Sequence, residues 1–345
     1  MEKLPFKLEF ITPAFIGGAN HQAELRPASF IGLLRWWWRA LRAEDNLKIL
    51  KKEEAEIFGL EDKAGGFFLR IRGDVYTGNN LRDDLHLDCH YDGRTRSVRG
   101  RDEGLCYLLY SAFLPNKERS YIKAGSTFEL TLLGKKDYLK PLLASLWALV
   151  FLGGVGLRSR RGGGSLAVIE AKGNRLCSLD FNPVGDVEAW YRENLKKAFE
   201  CVNSKCVSGP EYSNLLGSDI LISKAKFKDW REALNDIGVK FKRFREQNKK
   251  HVFEMGAFGM PIRHSNNQFL KPERHQRRAS PLIIKLIKVE NSYRWVLVKL
   301  RGNLLPRGEK LVLGKNKSDP SYELLEKFLN TLKQDSYHLV GGCNV

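Results

Sequence analysis

Apolar side chains recur along this chain with two periods, and the switches between them mark out elements. Residues 6 to 12, "FKLEFIT", alternate apolar and polar positions, the pattern of a half-buried strand. A turn with Gly17, Gly18 and Asn20 follows and ends at Pro27, a residue favoured in the first helical turn, so residues 28 to 44 are expected as a helix. Residues 65 to 73 and 126 to 134 are expected as strands, each closed by glycine. "YLKPLLASLWALVFLGG", 138 to 154, has the length and apolar density of a buried helix, and 165 to 173 is a closing strand.

The order is βαββαβ. It implies a split βαβ arrangement, in which two helices cover one face of an antiparallel sheet and the other face is left free. Residues 74 to 122, irregular and charged, interrupt the unit, and a connection of that length suggests a functional or partner-binding insertion. An amphipathic helix over 186 to 202 bridges to a second set. There a strand at 218 to 227 precedes a helix at 229 to 247, strands at 280 to 289 and 293 to 302, a helix at 322 to 333 and a last strand at 337 to 342. The expected fold class is therefore α+β, with two tandem ferredoxin-like (βαββαβ, RRM-like) domains over residues 1 to 180 and 181 to 345.

Charge narrows the function. The chain of 345 residues carries 58 Lys+Arg against 40 Asp+Glu, a formal charge of +18, so an acidic polymer is the expected partner. No apolar run reaches the ~18 residues needed to span a bilayer and no secretory signal is evident, which favours nucleic acid over membrane and a cytoplasmic location. The cysteines form no CxxC pair, so neither a disulfide framework nor a zinc ribbon is expected, and His86, Cys89 and His90 are read as structural. No metal and no cofactor are expected.

"LLRWWWRALR", 33 to 42, concentrates the candidate chemistry. On a helix, Phe30, Leu33, Leu34, Trp37 and Leu41 share one apolar arc, while Arg35, Arg39 and Arg42 share the opposite one. Trp36 and Trp38 flank that cationic stripe, where an indole could stack on a base or on a guanidinium plane. The alternative is that all three tryptophans are packed and the arginines form a solvated face.

A second candidate is "LGGVGLRSRRGGGSL", 152 to 166, which places six glycines around Arg158, Arg160 and Arg161 and reads as a phosphate cradle. It is not a nucleotide P-loop, since it runs from helix into strand and has no lysine. Further basic positions are Arg274, Arg277 and Arg278, and Lys240, Lys242, Arg243 and Arg245 on the helix at 229 to 247. For these, solvated charge and RNA contact explain the pattern equally well.

"TPAFIGGANHQAELRPASFIGLLRWWWRALR", "GGVGLRSRRGGGSL" and "RRASPLIIKLIKV" together resemble the RAMP proteins of CRISPR systems, and among them the first-numbered RAMP subunit of the Cmr (type III-B) effector complexes. The resemblance implies a non-catalytic subunit that binds guide and target RNA near the 3′ end of the guide, beside other Cmr subunits, in antiviral defence. The RNA-contacting positions it implies are Arg35, Trp38, Arg39, Arg42, Arg158, Arg160, Arg161, Arg277 and Arg278. Two alternatives remain at this level: a metal-independent guide-processing endoribonuclease using His21 or His264 as general base, and an assembly scaffold without RNA contact.

Overall fold

A computed structural model describes every residue except 19, 21, 95–96, 113–118, 173–175, 206–208, 265–266 and 344–345. The first half contains β1 (Glu2–Phe10), α1 (Pro27–Arg42), α2 (Leu47–Phe58), β2 (Phe67–Arg72), α3 (Glu103–Leu109), β3 (Thr127–Gly134), α4 (Lys136–Leu152) and β4 (Leu166–Ala171). The second half contains α5 (Val187–Cys201), β5 (Asn214–Ser223), α6 (Trp230–Gln247), β6 (Leu282–Val289), β7 (Ser292–Arg301), α7 (Glu323–Leu332) and β8 (Ser336–Val340).

Two of the three four-stranded sheets among the described residues, both antiparallel, organise the two halves, in the orders β2-β3-β1-β4 and β6-β7-β5-β8. Strands in equivalent positions of the two βαββαβ runs take equivalent places. In the first sheet, Leu69, Leu132 and Leu4 line up across three strands, followed by Ile71, Leu130 and Phe6. This row faces α1 and α4, where Phe128 stacks on Phe10 and meets Phe30 edge-on. The opposite face is open, with Phe68 67% exposed.

The second sheet differs, because both its faces are covered. Ile283, Val298, Ile220 and Leu339 form one row and belong to the same core as α1 and α4, while Ile284, Leu297 and Leu221 face Leu234, Phe241, Leu325 and Phe328 of α6 and α7. The free face expected of this arrangement is thus present in the first sheet and absent from the second. The near-continuous apolar runs "LIIKLIKV" and "YRWVLVKL" are what a strand buried on both sides requires.

The insertion folds back on the second half. Gly104 at the start of α3 lies against Gly238 of α6 so closely that a Cβ on Gly104 would come within 2.2 Å of the Asn235 carbonyl oxygen. The Asn235 side chain accepts hydrogen bonds from the Gly104 and Leu105 amides at 2.9 and 3.1 Å. Lys242, fully buried, pairs with Glu103 at 2.9 Å. Cys89 and Cys106 are joined in a disulfide and Cys343 is disulfide-bonded as well, a correction to the cysteine reading above: spacing along the chain did not reveal pairs made by tertiary packing.

Candidate nucleic-acid interface

The arginine stripe of α1 is not free. Its neighbour is α2, whose start is fixed by the Asn46 side chain accepting from the Lys48 and Ile49 amides, and whose carboxylates turn toward α1. Glu54 binds Arg39 through both oxygens, the Nη2 contact being 2.6 Å, and lies 3.7 Å from Arg35. Arg42, 5% exposed, is closed in by Glu53 at 2.8 Å and Glu44 at 3.0 Å. Hydrogen bonds to Glu54 and Glu53 outweigh burial and hold Arg39 and Arg42 above the ordinary arginine pKa. Arg35 donates to the Phe58 and Gly59 carbonyls that end α2, at 3.0 and 3.2 Å.

Trp38 must also be corrected. It is 2% exposed and meets Phe58 edge-on, so no ring face remains for a base. The helix buries a wider arc than the sequence pattern implies because sheet, α2, α4 and β5 all pack on it. Trp36 instead stays partly exposed, edge-on to Trp37 at 4.8 Å between ring centroids.

The glycine-rich loop is a buried joint and not an open cradle. Its chain is held by Leu157 N donating to Phe15 O at 2.9 Å and Gly164 N to Pro13 O at 2.8 Å, and on the other side by Ile284 N donating to Arg160 O at 3.2 Å. Gly162 and Gly164 have φ of +89° and +61°, and a Cβ there would lie 2.3 Å from Leu234 and 1.9 Å from the Val155 carbonyl oxygen. Close packing and left-handed backbone therefore demand these glycines, where approach to a phosphodiester was expected.

The loop's arginines separate. Arg160 sits with its guanidinium 5.2 Å over the Trp36 ring and donates to the Ser280 carbonyl. Burial and the neighbouring Arg278 pull its pKa down to about 10, so the group remains charged, and among the described residues no carboxylate pairs with it. Arg158 donates to the Leu108 carbonyl, and Arg161 to those of Phe258 and Leu282 at 2.6 and 2.9 Å. Both face α3 and α6, away from the Trp36 contact.

One cationic surface does form. Arg278 donates to Leu304 O at 2.6 Å and to Ser213 Oγ at 3.0 Å, beside Arg160. Arg277 is exposed and has no hydrogen bond or ion pair among the described residues. Both line a cavity of about 830 Å³ that also includes Tyr212, His275, Arg307 and, from the α1–α2 turn, Asp45. His275 and Arg307 are paired there with Glu309 and Glu211. Arg160 links this cavity to α1, lying beside Arg278 on one side and over the Trp36 ring on the other, with Arg39 one helical turn from Trp36. Trp36 was expected as a flank of the stripe but not placed among the RNA-contacting positions, and its pairing with Arg160 was not foreseen, since nothing in one strand of letters links positions so far apart.

His21 lies outside the described residues, and His264 is exposed at a short strand (Ile262–Arg263). Among the described residues no three His, Cys, Asp or Glu side chains are grouped to hold a metal ion, and no helix is long and apolar enough to cross a membrane.

Residues 7–167 match the RAMP superfamily. The CRISPR system Cmr subunit Cmr1-2 of Pyrococcus furiosus is 33% identical over 180 residues, covering 47% of this chain and 93% of that protein. The chain belongs to the Cmr1 family of RAMP proteins. Cmr1-1 of the same organism is 27% identical over 305 residues, 82% of this chain and 83% of that protein. In fold, the chain is similar to apo Cmr1 from P. furiosus, with a TM-score of 0.70, 22% identity and coverage of 99% of this chain and 100% of that one. It is also similar to a chain in the type III-B Cmr-beta complex bound to cognate target RNA, AMPPNP and in the presence of single-stranded DNA, with a TM-score of 0.59, 15% identity and coverage of 96% and 98%.

Proposed function

We propose that this Cmr1-family chain is a non-catalytic, cytoplasmic RNA-binding subunit of a Cmr (type III-B) effector complex, holding guide or target RNA near the 3′ end of the guide beside other Cmr subunits. We read its two sheets, with their helices, as tandem ferredoxin-like domains over 1 to 180 and 181 to 345. The observation that carries the RNA reading is that Arg160 lies over the partly exposed Trp36 indole and beside Arg278, which lines a cavity together with the exposed Arg277. Arginine supplies forked donors for phosphate, and an indole supplies a stacking face for a base. Family membership supports the partner class. Arg39 and Arg35 border this surface with charges already offset by Glu54, while Arg42 and Trp38 support it from within.

Filter binding of single-stranded RNA across salt tests the reading. Affinity should fall with salt, and Arg277→Ala with Arg278→Ala should reduce the slope by about 0.7 per lost phosphate contact on all sequences alike. An unchanged slope in a folded double variant would sink it. Labelled guide precursor incubated with the chain should remain intact.

A further inference from the structure

We propose that Cys177 and Cys201 form a thiol–disulfide exchange site, oxidised by low-molecular-weight disulfides, and that the bond they make fastens the segment joining the two halves of the chain to the last turn of α5. The site stands whether or not the Trp36 surface holds RNA. Cys89, Cys106 and Cys343 are disulfide-bonded, so among the described residues these two are the cysteines that remain thiols.

Packing of the connecting segment brings the two sulfurs together. The segment after β4 buries Leu179 and Phe181 in the first core, and α5 folds back beside it. Asp180 is held to α5 twice: its amide donates to the Asn194 side chain at 2.7 Å, and its carboxylate accepts from the Trp190 indole at 2.6 Å. Counting back from Asp180 to Cys177 gives three residues, up to about 10 Å of chain, and counting on from Asn194 to Cys201 gives seven helical residues, about 10 Å of rise. The segment and the helix therefore run antiparallel and meet again at the two cysteines, whose thiols are hydrogen-bonded to each other. The Cys177 Sγ also lies 3.9 Å from the Lys140 carbonyl oxygen of α4.

Access and polarity fit exchange. Both cysteines are half-buried and line a cavity of about 870 Å³ with Lys140, Lys197 and Glu200, a volume that admits a small disulfide. The hydrogen bond from Cys177 holds Cys201 below the ordinary thiol pKa, against burial and Glu200, and it raises Cys177, which keeps its proton. Lys140 favours negative charge on both sulfurs. Cys201 is thus the nucleophile. Its thiolate attacks one sulfur of the incoming disulfide and expels the other as a thiolate, leaving a mixed disulfide on Cys201. Cys177 passes its proton to the expelled thiolate and attacks the Cys201 sulfur, which releases the second thiolate to be protonated by water. Two protein thiols are oxidised and one small disulfide is reduced to two thiols. The new bond closes the chain from 177 to 201, which restricts the unfolded state and shifts the folding equilibrium by on the order of a hundredfold.

The test treats the full chain, reduced with dithiothreitol and then freed of it, with glutathione disulfide, and maps the products by alkylation and peptide mass spectrometry. The unaltered protein, Cys177→Ser and Cys201→Ser are compared. The unaltered protein should yield the Cys177 and Cys201 peptides linked to each other with no glutathione retained. Cys177→Ser should stop at a glutathione adduct on Cys201, whereas Cys201→Ser should gain its adduct on Cys177 about tenfold more slowly or not at all. Thermal unfolding should show a higher midpoint for the oxidised unaltered protein than for its reduced form, and Cys177→Ser should lose that gain. Two unreacted thiols, or adducts retained on both cysteines without a link, overturn the site. Equal adduct rates in the two variants overturn Cys201 as the nucleophile, and an equal thermal gain in Cys177→Ser overturns the fastening. Should a serine variant fail to fold, the presence or absence of the linked peptides in the unaltered protein still decides the site.

Discussion

Glu54→Gln should weaken the fold and strengthen RNA binding at once. Glu54 is 14% exposed and holds Arg39, itself 41% exposed, through two oxygens, with Arg35 at 3.7 Å. A hydrogen bond to a charged group contributes about 1.5 to 3 kcal/mol. Solvent screening at Arg39 reduces that, and glutamine retains one acceptor, so the expected loss of stability is about 1 kcal/mol. The same change leaves one guanidinium without its counter-ion a helical turn from Trp36. For a single strand, one more cation facing phosphate steepens the dependence of log affinity on log salt by about 0.7, or about fivefold in affinity at 0.1 M salt. Urea unfolding gives the first quantity and filter binding across salt the second. Unchanged slope and affinity in a folded Glu54→Gln protein would show that Arg39 does not face the RNA, and the surface would have to be redrawn without it.

Trp38→Ala should cost about 3 to 5 kcal/mol in urea unfolding, because it removes a large side chain that is only 2% exposed, while the folded fraction keeps its RNA affinity. A small stability cost with lost affinity would restore a stacking role to Trp38. Glu103→Gln strips one of two carboxylates from fully buried Lys242, leaving Glu246 at 3.7 Å, and should cost about 3 kcal/mol, the low end for a broken buried pair. Hydrogen exchange should then rise first in α3. Lys285, fully buried and donating to the Val150 carbonyl, has its pKa lowered well below the ordinary value by burial. A base with a depressed folded pKa binds fewer protons folded than unfolded in the window up to about pH 10.4, so its contribution to stability grows as pH rises there. Lys285→Met should remove that alkaline rise, by at most about 1.4 kcal/mol per pH unit. Identical pH profiles would contradict it.

The two βαββαβ runs were legible because sheet and helix periods are written in single side chains. α1, α4, β6 and β7 each fall within a few residues of the pattern. What the pattern concealed was α2. Its apolar positions Leu50, Ile57 and Phe58 sit among lysines and glutamates, and Asn46 is a helix-capping residue, so the signal existed in a stretch that reads first as charge. Missing α2 meant missing Glu53 and Glu54, and hence the fate of the arginine stripe and of Trp38. The glycine-rich loop misled for a different reason. A glycine that admits a phosphate and one that admits Leu234 look the same in sequence, and only the backbone around Gly162 tells them apart.

The arginines of one short loop accordingly divide their work. Arg160 joins α1 and the segment before β6 at a surface open to solvent, whereas Arg158 and Arg161 reach the insertion and α6. Burial of the loop fixes this division, since Ile284 and Pro13 hold its backbone from two sides. A rigid joint positions guanidinium groups at less entropic cost than a mobile loop.

The most direct measurement is photo-crosslinking of the full chain to single-stranded RNA bearing a photoreactive base, with the adducts located by mass spectrometry. Adducts on the peptides that contain Trp36 and Arg277 or Arg278 are expected. Adducts confined to the open face of the first sheet, around Phe68, would contradict the assignment of RNA to the Trp36 surface.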